Sequence, residues 1–156
     1  MSDAPEIRPA IEADAAQVRA LLPQLADFDV PERRNPDDLW AGDVVVFDDV
    51  LAGRRADCLA HVAAAGDKVL GLIIVTMRDE LMSHAPSAHL EAIVVHPDAR
   101  CTGLGRRLLA EAEQLARARG AQSISLHVFA KNERALSLYK ADGYDPELIR
   151  AIKWFD

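Results

Sequence analysis

Several marks of specialised proteins are missing from this chain. It has two cysteines, Cys58 and Cys101, far apart and in no Cys-x-x-Cys or Cys/His ligand spacing. That excludes a disulfide framework or a zinc finger and leaves two reduced thiols. Long apolar runs are absent too: stretches such as "VLGLIIVTM" are far too short to cross a bilayer. The start, "MSDAPEIRPA", lacks the basic residues and apolar run of a secretory signal. Positive charge is scarce, with 18 Lys and Arg against 25 Asp and Glu and a net charge of −7. Nucleic acid and anionic membranes need a cationic face, so neither is expected as a partner, whereas a cationic substrate is compatible. There is no internal repeat, no low-complexity segment and no linker long enough to divide domains. The expectation is a cytoplasmic protein in which residues 1–156 form one domain.

What is present is half apolar and 28% charged, the balance of a globular chain. A short strand is expected near Glu6 to Pro9, followed by a helix in "IEADAAQVRALLPQLADF", where Ile11, Ala15, Val18, Leu22 and Leu25 recur at helical spacing. "DVPERRNPDDLW" reads as a loop, and a second helix is expected between about Asp37 and Ala52. "DCLAHVAAAGDKVLGLIIVTMRDE" reads as a hairpin turning at Gly66-Asp67, and "RDELMSHAPSA" as a polar loop. "HLEAIVV" is the next strand, Leu104, Leu108, Ala112, Leu115 and Ala116 form a helical stripe, and Gly120 ends it. "SISLHVF" is a further strand, "NERALSLYKADGY" a short helix closed by Gly143, and "ELIRAIKWFD" alternates like a last strand. This order predicts an α/β (α+β) fold: a mixed, mostly antiparallel sheet containing one parallel pair, "HLEAIVV" and "SISLHVF", joined by the long helix as a right-handed crossover.

The stretch "HPDARCTGLGRRLL" connects that strand to that helix and holds Gly103 and Gly105 among Arg100, Arg106 and Arg107. The first N–H groups of a helix lack partners and, with its dipole, attract anions. Glycines let the backbone approach such an anion and adopt positive φ. The stretch does not fit a dinucleotide fingerprint, which would need glycine at Leu108, and it lacks the Gly-Lys-Ser/Thr of a Walker loop. On its own it is either a diphosphate site of another kind or a tight turn.

Two segments together carry a resemblance. Arg100-Cys-Thr-Gly103-Leu-Gly105 resembles the R/Q-x-x-G-x-G/A signature of the GNAT superfamily of N-acetyltransferases. Downstream, Asn132, Ala135, Leu138, Tyr139, Gly143 and Tyr144 resemble its N-x-x-A-x-x-L-Y-x-x-x-G-Y/F segment, with one helix and one strand between. The match covers about Leu90 to Tyr144. It implies acetyl coenzyme A as cosubstrate, no metal, helices on both faces of the sheet, and a parallel pair splayed apart around the pantetheine arm. It also implies that backbone N–H groups of Arg100, Cys101, Thr102, Gly103, Leu104, Gly105 and Arg106 hold the pyrophosphate. The arm then pairs with Ile93, Val94 and Val95, and Asn132 caps the next helix or touches the arm. One departure stands out: the family often has glycine where this chain has Cys101.

Acetyl transfer requires a neutral amine, a donor for the developing oxyanion and a departing thiolate. By the resemblance, Tyr139 lies beside the coenzyme sulfur as acid, the alternative being a tyrosine packed with Leu136. Glu91 matches the glutamate of polyamine-acetylating members and is the candidate base; strict strand alternation would place it on one face with Ile93 and Val95. His127 is a second candidate base, in the region where peptide-acetylating members carry glutamate. His84 and His89 lie near the expected cleft without a motif. A backbone N–H near Val94 is the candidate oxyanion donor. The acidic loop residues Asp27, Asp29, Glu32, Asp37 and Asp38 suit a cationic acceptor, and are otherwise solvated charge. The expectation is an acetyltransferase for a small, cationic primary amine. Acetylation of protein N-termini or lysines, noncatalytic acyl-coenzyme binding, and a homodimer remain open.

Overall fold

The computed structural model describes residues 3–156. Five strands form one sheet in sequence order. They are β1 (Glu6–Pro9), β2 (Cys58–Ala65), β3 (Lys68–Asp79), β4 (Pro86–Val95) and β5 (Ile124–Leu126). The first four pair antiparallel and β4 pairs parallel with β5. The helices are α1 (Ala15–Leu21), α2 (Ala41–Leu51), α3 (Leu104–Ala118) and α4 (Glu133–Ala141).

β3 explains the architecture. Its apolar run is continuous because both faces are covered. Leu72 and Ile74 enter a core with Val18, Leu22 and Phe47 of the α1–α2 side. Ile73 and Val75 enter a second core with Leu108, Leu109 and Ala112 of α3. Gly71 sits at the closest approach of α3: a Cβ there would lie 2.7 Å from Leu108 Cδ1 and 3.2 Å from the Val94 carbonyl oxygen.

The hairpin turn at Gly66-Asp67 is observed, as are the stripe of α3 and the parallel pair. Other expectations change. Pro23 limits the first long helix to α1 flanked by 3-10 turns. The polar loop is shorter than expected: Arg78 and Asp79 still belong to β3 and pair with Ser87 and Pro86 of β4, leaving a turn from Glu80 to Ala85. β5 stops at Leu126, so His127 to Phe129 lie outside the strand. The tail "ELIRAIKWFD" forms no strand despite its alternation; its residues are exposed and hydrogen-bond to no sheet edge. Among the described residues no helix is long and apolar enough to cross a membrane.

Candidate active site

The parallel pair is joined only at Ala88, His89 and Leu90, opposite Ile124, Ser125 and Leu126. Beyond Leu90, β4 continues to Val95 while β5 has ended, so the two separate as the resemblance implied. A cavity of about 600 Å³ occupies the gap. Among the described residues the edge of β4 facing it has no strand partner, which leaves backbone donors and acceptors for an amide-bearing ligand. Ile93, Val94 and Val95 form its floor.

At one end of the cavity lies the glycine turn. Gly103 has φ 83° and Cys101 φ 60°, both left-handed. The residue after the arginine must therefore adopt a conformation that glycine takes freely, and Cys101 holds it under strain of order 1 kcal/mol. The N–H groups from Cys101 to Arg106 have no acceptor among the described residues. With the N-terminus of α3 they make an anion cradle. Cys101, Gly103, Leu104, Gly105 and Arg106 line the cavity. Thr102 does not; its hydroxyl turns back to the Ala99 carbonyl. Arg107 is drawn away to the Pro5 carbonyl, 2.7 Å distant. Arg100 crosses the cavity to Asp27, 2.8 Å away, and Gln24, 3.0 Å away.

Asn132 caps α4: its Oδ1 accepts from the Ala135 N–H at 3.3 Å. That cap orients the helix whose Tyr139 lines the gap. Tyr139 is buried, packs on Tyr144 with ring centroids 5.9 Å apart, and is pushed by burial up to about 12. It is therefore a neutral phenol throughout the physiological range.

Glu91 lines the cavity, but not through simple alternation. Ile74 faces Ala92 and Val75 faces Leu90, so Glu91 has no partner on β3 and forms a β-bulge. The bulge breaks the expected common face with Ile93 and Val95. Those two pack on the α3 side, whereas the Glu91 charge acts on Asp43 of α2. Asp43 is a site residue that sequence reasoning missed, although it lies just beyond the acidic loop. Burial and then the Glu91 charge push it up to about 6. A carboxyl poised there exchanges a proton near neutral pH. His127 lines the cavity. His89 does not; it is buried beneath, its Nδ1 2.9 Å from Ser125 Oγ and its ring 4.7 Å from that of His127. His84 sits in the exposed turn before β4 and lines no part of the cavity. No group of three or more potential metal ligands occurs among the described residues.

The geometry joins a diphosphate-sized cradle, an open strand edge and a buried tyrosine in one gap. A family profile of acetyltransferases matches residues 20–144. The chain belongs to the acetyltransferase (GNAT) family. Among relatives, a mycothiol acetyltransferase of Beutenbergia cavernae is 36% identical over 67 residues, 43% of this chain and 23% of that protein. The ard1 catalytic subunit of the N-terminal acetyltransferase A complex of Schizosaccharomyces pombe is 30% identical over 74 residues, 47% of this chain and 42% of that protein. The chain thus matches less than half the length of either relative. A solved structure of AAC(6')-Iy with a coenzyme A–acetylneamine bisubstrate analogue shares the fold. Its TM-score is 0.71 at 21% identity, over 97% of each chain. The anion cradle, the open edge and the cavity of about 600 Å³ between them fit a coenzyme of this type.

Proposed function

We propose that residues 1–156 form a single acetyltransferase domain that moves the acetyl group of acetyl coenzyme A to a primary amine of a small cationic molecule, by direct attack in a ternary complex. The observation that carries this reading is the meeting, in one cavity, of the unpaired N–H groups of Cys101 to Arg106 with the unpaired edge of β4. The carboxylates of Glu91 and Asp43 at the other wall favour a cationic acceptor over a neutral one. The aminoglycoside portion of the analogue bound to AAC(6')-Iy is the same chemical class.

The coenzyme, when bound, supplies an acetyl group activated as a thioester. The backbone N–H groups from Cys101 to Arg106 hold its pyrophosphate, without that of Arg100, which donates to the Pro97 carbonyl, and Ile93 to Val95 pair with its arm. Glu91, with Asp43 beside it, takes the proton that an arriving ammonium must lose before its nitrogen can attack. His127 is the second candidate base, and it or water takes the further proton that the nitrogen sheds as the adduct collapses to amide and thiolate. A backbone N–H near Val94 donates to the carbonyl oxygen as it gains charge. Tyr139 faces the departing sulfur. A free thiol titrates near ~8.5, well below Tyr139 at about 12. Tyr139 therefore steadies the thiolate by a hydrogen bond and keeps its own proton. The exposed apolar tail, with Leu148, Ile149 and Phe155 open to solvent, is compatible with a homodimer.

Thiol release measured across panels of amines and peptides tests the reading. Turnover is expected with small di- and polyamines. Turnover on peptides alone would replace the acceptor class with protein N-termini or lysines. Coenzyme A binding by calorimetry with no thiol release on either panel would leave a binding module.

A further inference from the structure

The cations nearest the coenzyme cradle are already engaged. Asp27, in the segment between α1 and α2, holds Arg100 through Nη1 at 2.8 Å and lies 3.8 Å from Arg134 Nη2. Its backbone carbonyl accepts from Arg134 Nη2 at 3.4 Å. Gln24 takes the other Arg100 nitrogen at 3.0 Å. Two further contacts continue the seam: Lys131 to Asp29 at 3.2 Å, and Phe28 against Phe129 with centroids 5.4 Å apart. The seam closes across the cavity: Gln24, Asp27 and Phe28 line one side of it and Arg100, Phe129 and Arg134 the other, while the Lys131–Asp29 pair does not line it.

Arg100 and Arg134 both border the space where, on the reading above, a polyanionic coenzyme enters. Asp27 and Gln24 already take both Nη nitrogens of Arg100, so an arriving phosphate cannot grip that end of the guanidinium bidentately while they hold it. We infer that Asp27 is an internal stand-in for the coenzyme's phosphates: it holds Arg100 and Arg134 in the empty enzyme and is displaced when coenzyme binds. This inference rests on the coenzyme assignment under Proposed function. Its consequence is mechanical as well as electrostatic. Once the Asp27 carboxylate lets go, the segment from Asp27 to Val30 keeps its local turns, the long hydrogen bond from Arg134 to the Asp27 carbonyl, and the contacts at Asp29 and Phe28. Arrival of the coenzyme therefore loosens the opposite, acceptor-facing wall.

Calorimetric titration with coenzyme A tests this on three proteins: the native chain, Asp27→Asn, and Asp48→Asn. Asp48 pairs with Arg19 away from the cavity, so its variant removes the same charge without touching the seam. Asp27→Asn is expected to lower the Kd for coenzyme A about three- to fivefold, the worth of a partly exposed ion pair, and Asp48→Asn to leave it unchanged. An unchanged or weakened affinity in Asp27→Asn, or an equal gain in Asp48→Asn, overturns the stand-in. In the native chain, amide exchange from Asp27 to Val30 is expected to quicken several-fold on adding coenzyme A; unchanged or slower exchange overturns the release. Failure of the native chain to bind coenzyme A at all would instead strike the coenzyme assignment, and this inference with it.

Discussion

The two halves of β4 share one strand and differ in nearly everything else. Its first half, Pro86 to Leu90, pairs with β3 on one edge and, over Ala88 to Leu90, with β5 on the other, and Ser87, Ala88, His89 and Leu90 are all buried. From Glu91 to Val95 only β3 holds it, and the other edge faces the cavity. The bulge at Glu91 marks the change. Polar groups of the first half find partners inside the protein, as His89 does with Ser125. Those of the second half are left for a ligand. The paired half supplies stability, and the open half spends it on a rigid, unsaturated edge.

Substitutions can break this division. The largest effect is expected at Leu90→Ala, the last residue of the paired half, about 2–4 kcal/mol of stability by denaturant unfolding, with a smaller effect on coenzyme Kd because Leu90 also borders the cavity. A large loss of coenzyme affinity without loss of stability would erase the distinction between the halves. Tyr139→Phe, across the open half, removes a hydrogen bond to a charged sulfur, worth about 1.5–3 kcal/mol. Turnover should fall roughly 10- to 100-fold, with little change in melting temperature. An unaltered kcat would remove Tyr139 from the reaction.

The halves should also answer pH with opposite signs. Burial, then the positive charges of Arg78 and His127, push His89 down to about 4 from an ordinary 6.5. The unfolded imidazole therefore takes up its proton first, and stability is lost as pH falls from 6.5 towards 4. Asp43 is pushed the other way, to about 6 from 3.8. Its unfolded carboxyl ionises first, so its contribution falls as pH rises from about 4 to about 6. Unfolding free energies at pH 4 to 7 should show His89→Gln losing the acid-side decline, of order 2 kcal/mol. Asp43→Asn should lose the opposing term, about 1 kcal/mol after screening. Equal slopes in both variants and the native chain would contradict the assignment. The smallest expected gain is at Cys101→Gly, which relieves a left-handed residue and should stabilise by up to about 1 kcal/mol, read as a rise in melting temperature.

Much of this was legible before the structure, and the failures have physical causes. The hairpin turn, the α3 stripe and the cradle are local patterns, each carried by adjacent or helically spaced residues. The bulge at Glu91 is not local: it is a register offset between β3 and β4, and "HLEAIVV" has no glycine or proline to announce it. Strict alternation therefore misplaced Glu91 relative to Ile93. Asp43 was overlooked because it stands among apolar residues of α2, and only tertiary packing against β4 makes it a cavity carboxyl. "SISLHVF" and the tail both read as strands, yet a strand needs a neighbouring edge. β5 runs out of contact with β4 at Leu126, and the tail meets none.

Gly71 has a reach that its own position in β3 does not suggest. Because Leu108 of α3 lies where its side chain would stand, the missing Cβ at Gly71 acts as a depth gauge for the helix. The first turn of α3 is the cradle, so the gauge also sets the height of the diphosphate seat above the sheet. A methyl group at Gly71 would press on Leu108 and on the Val94 carbonyl and reach the side chain of Leu104, the first helical residue of that seat.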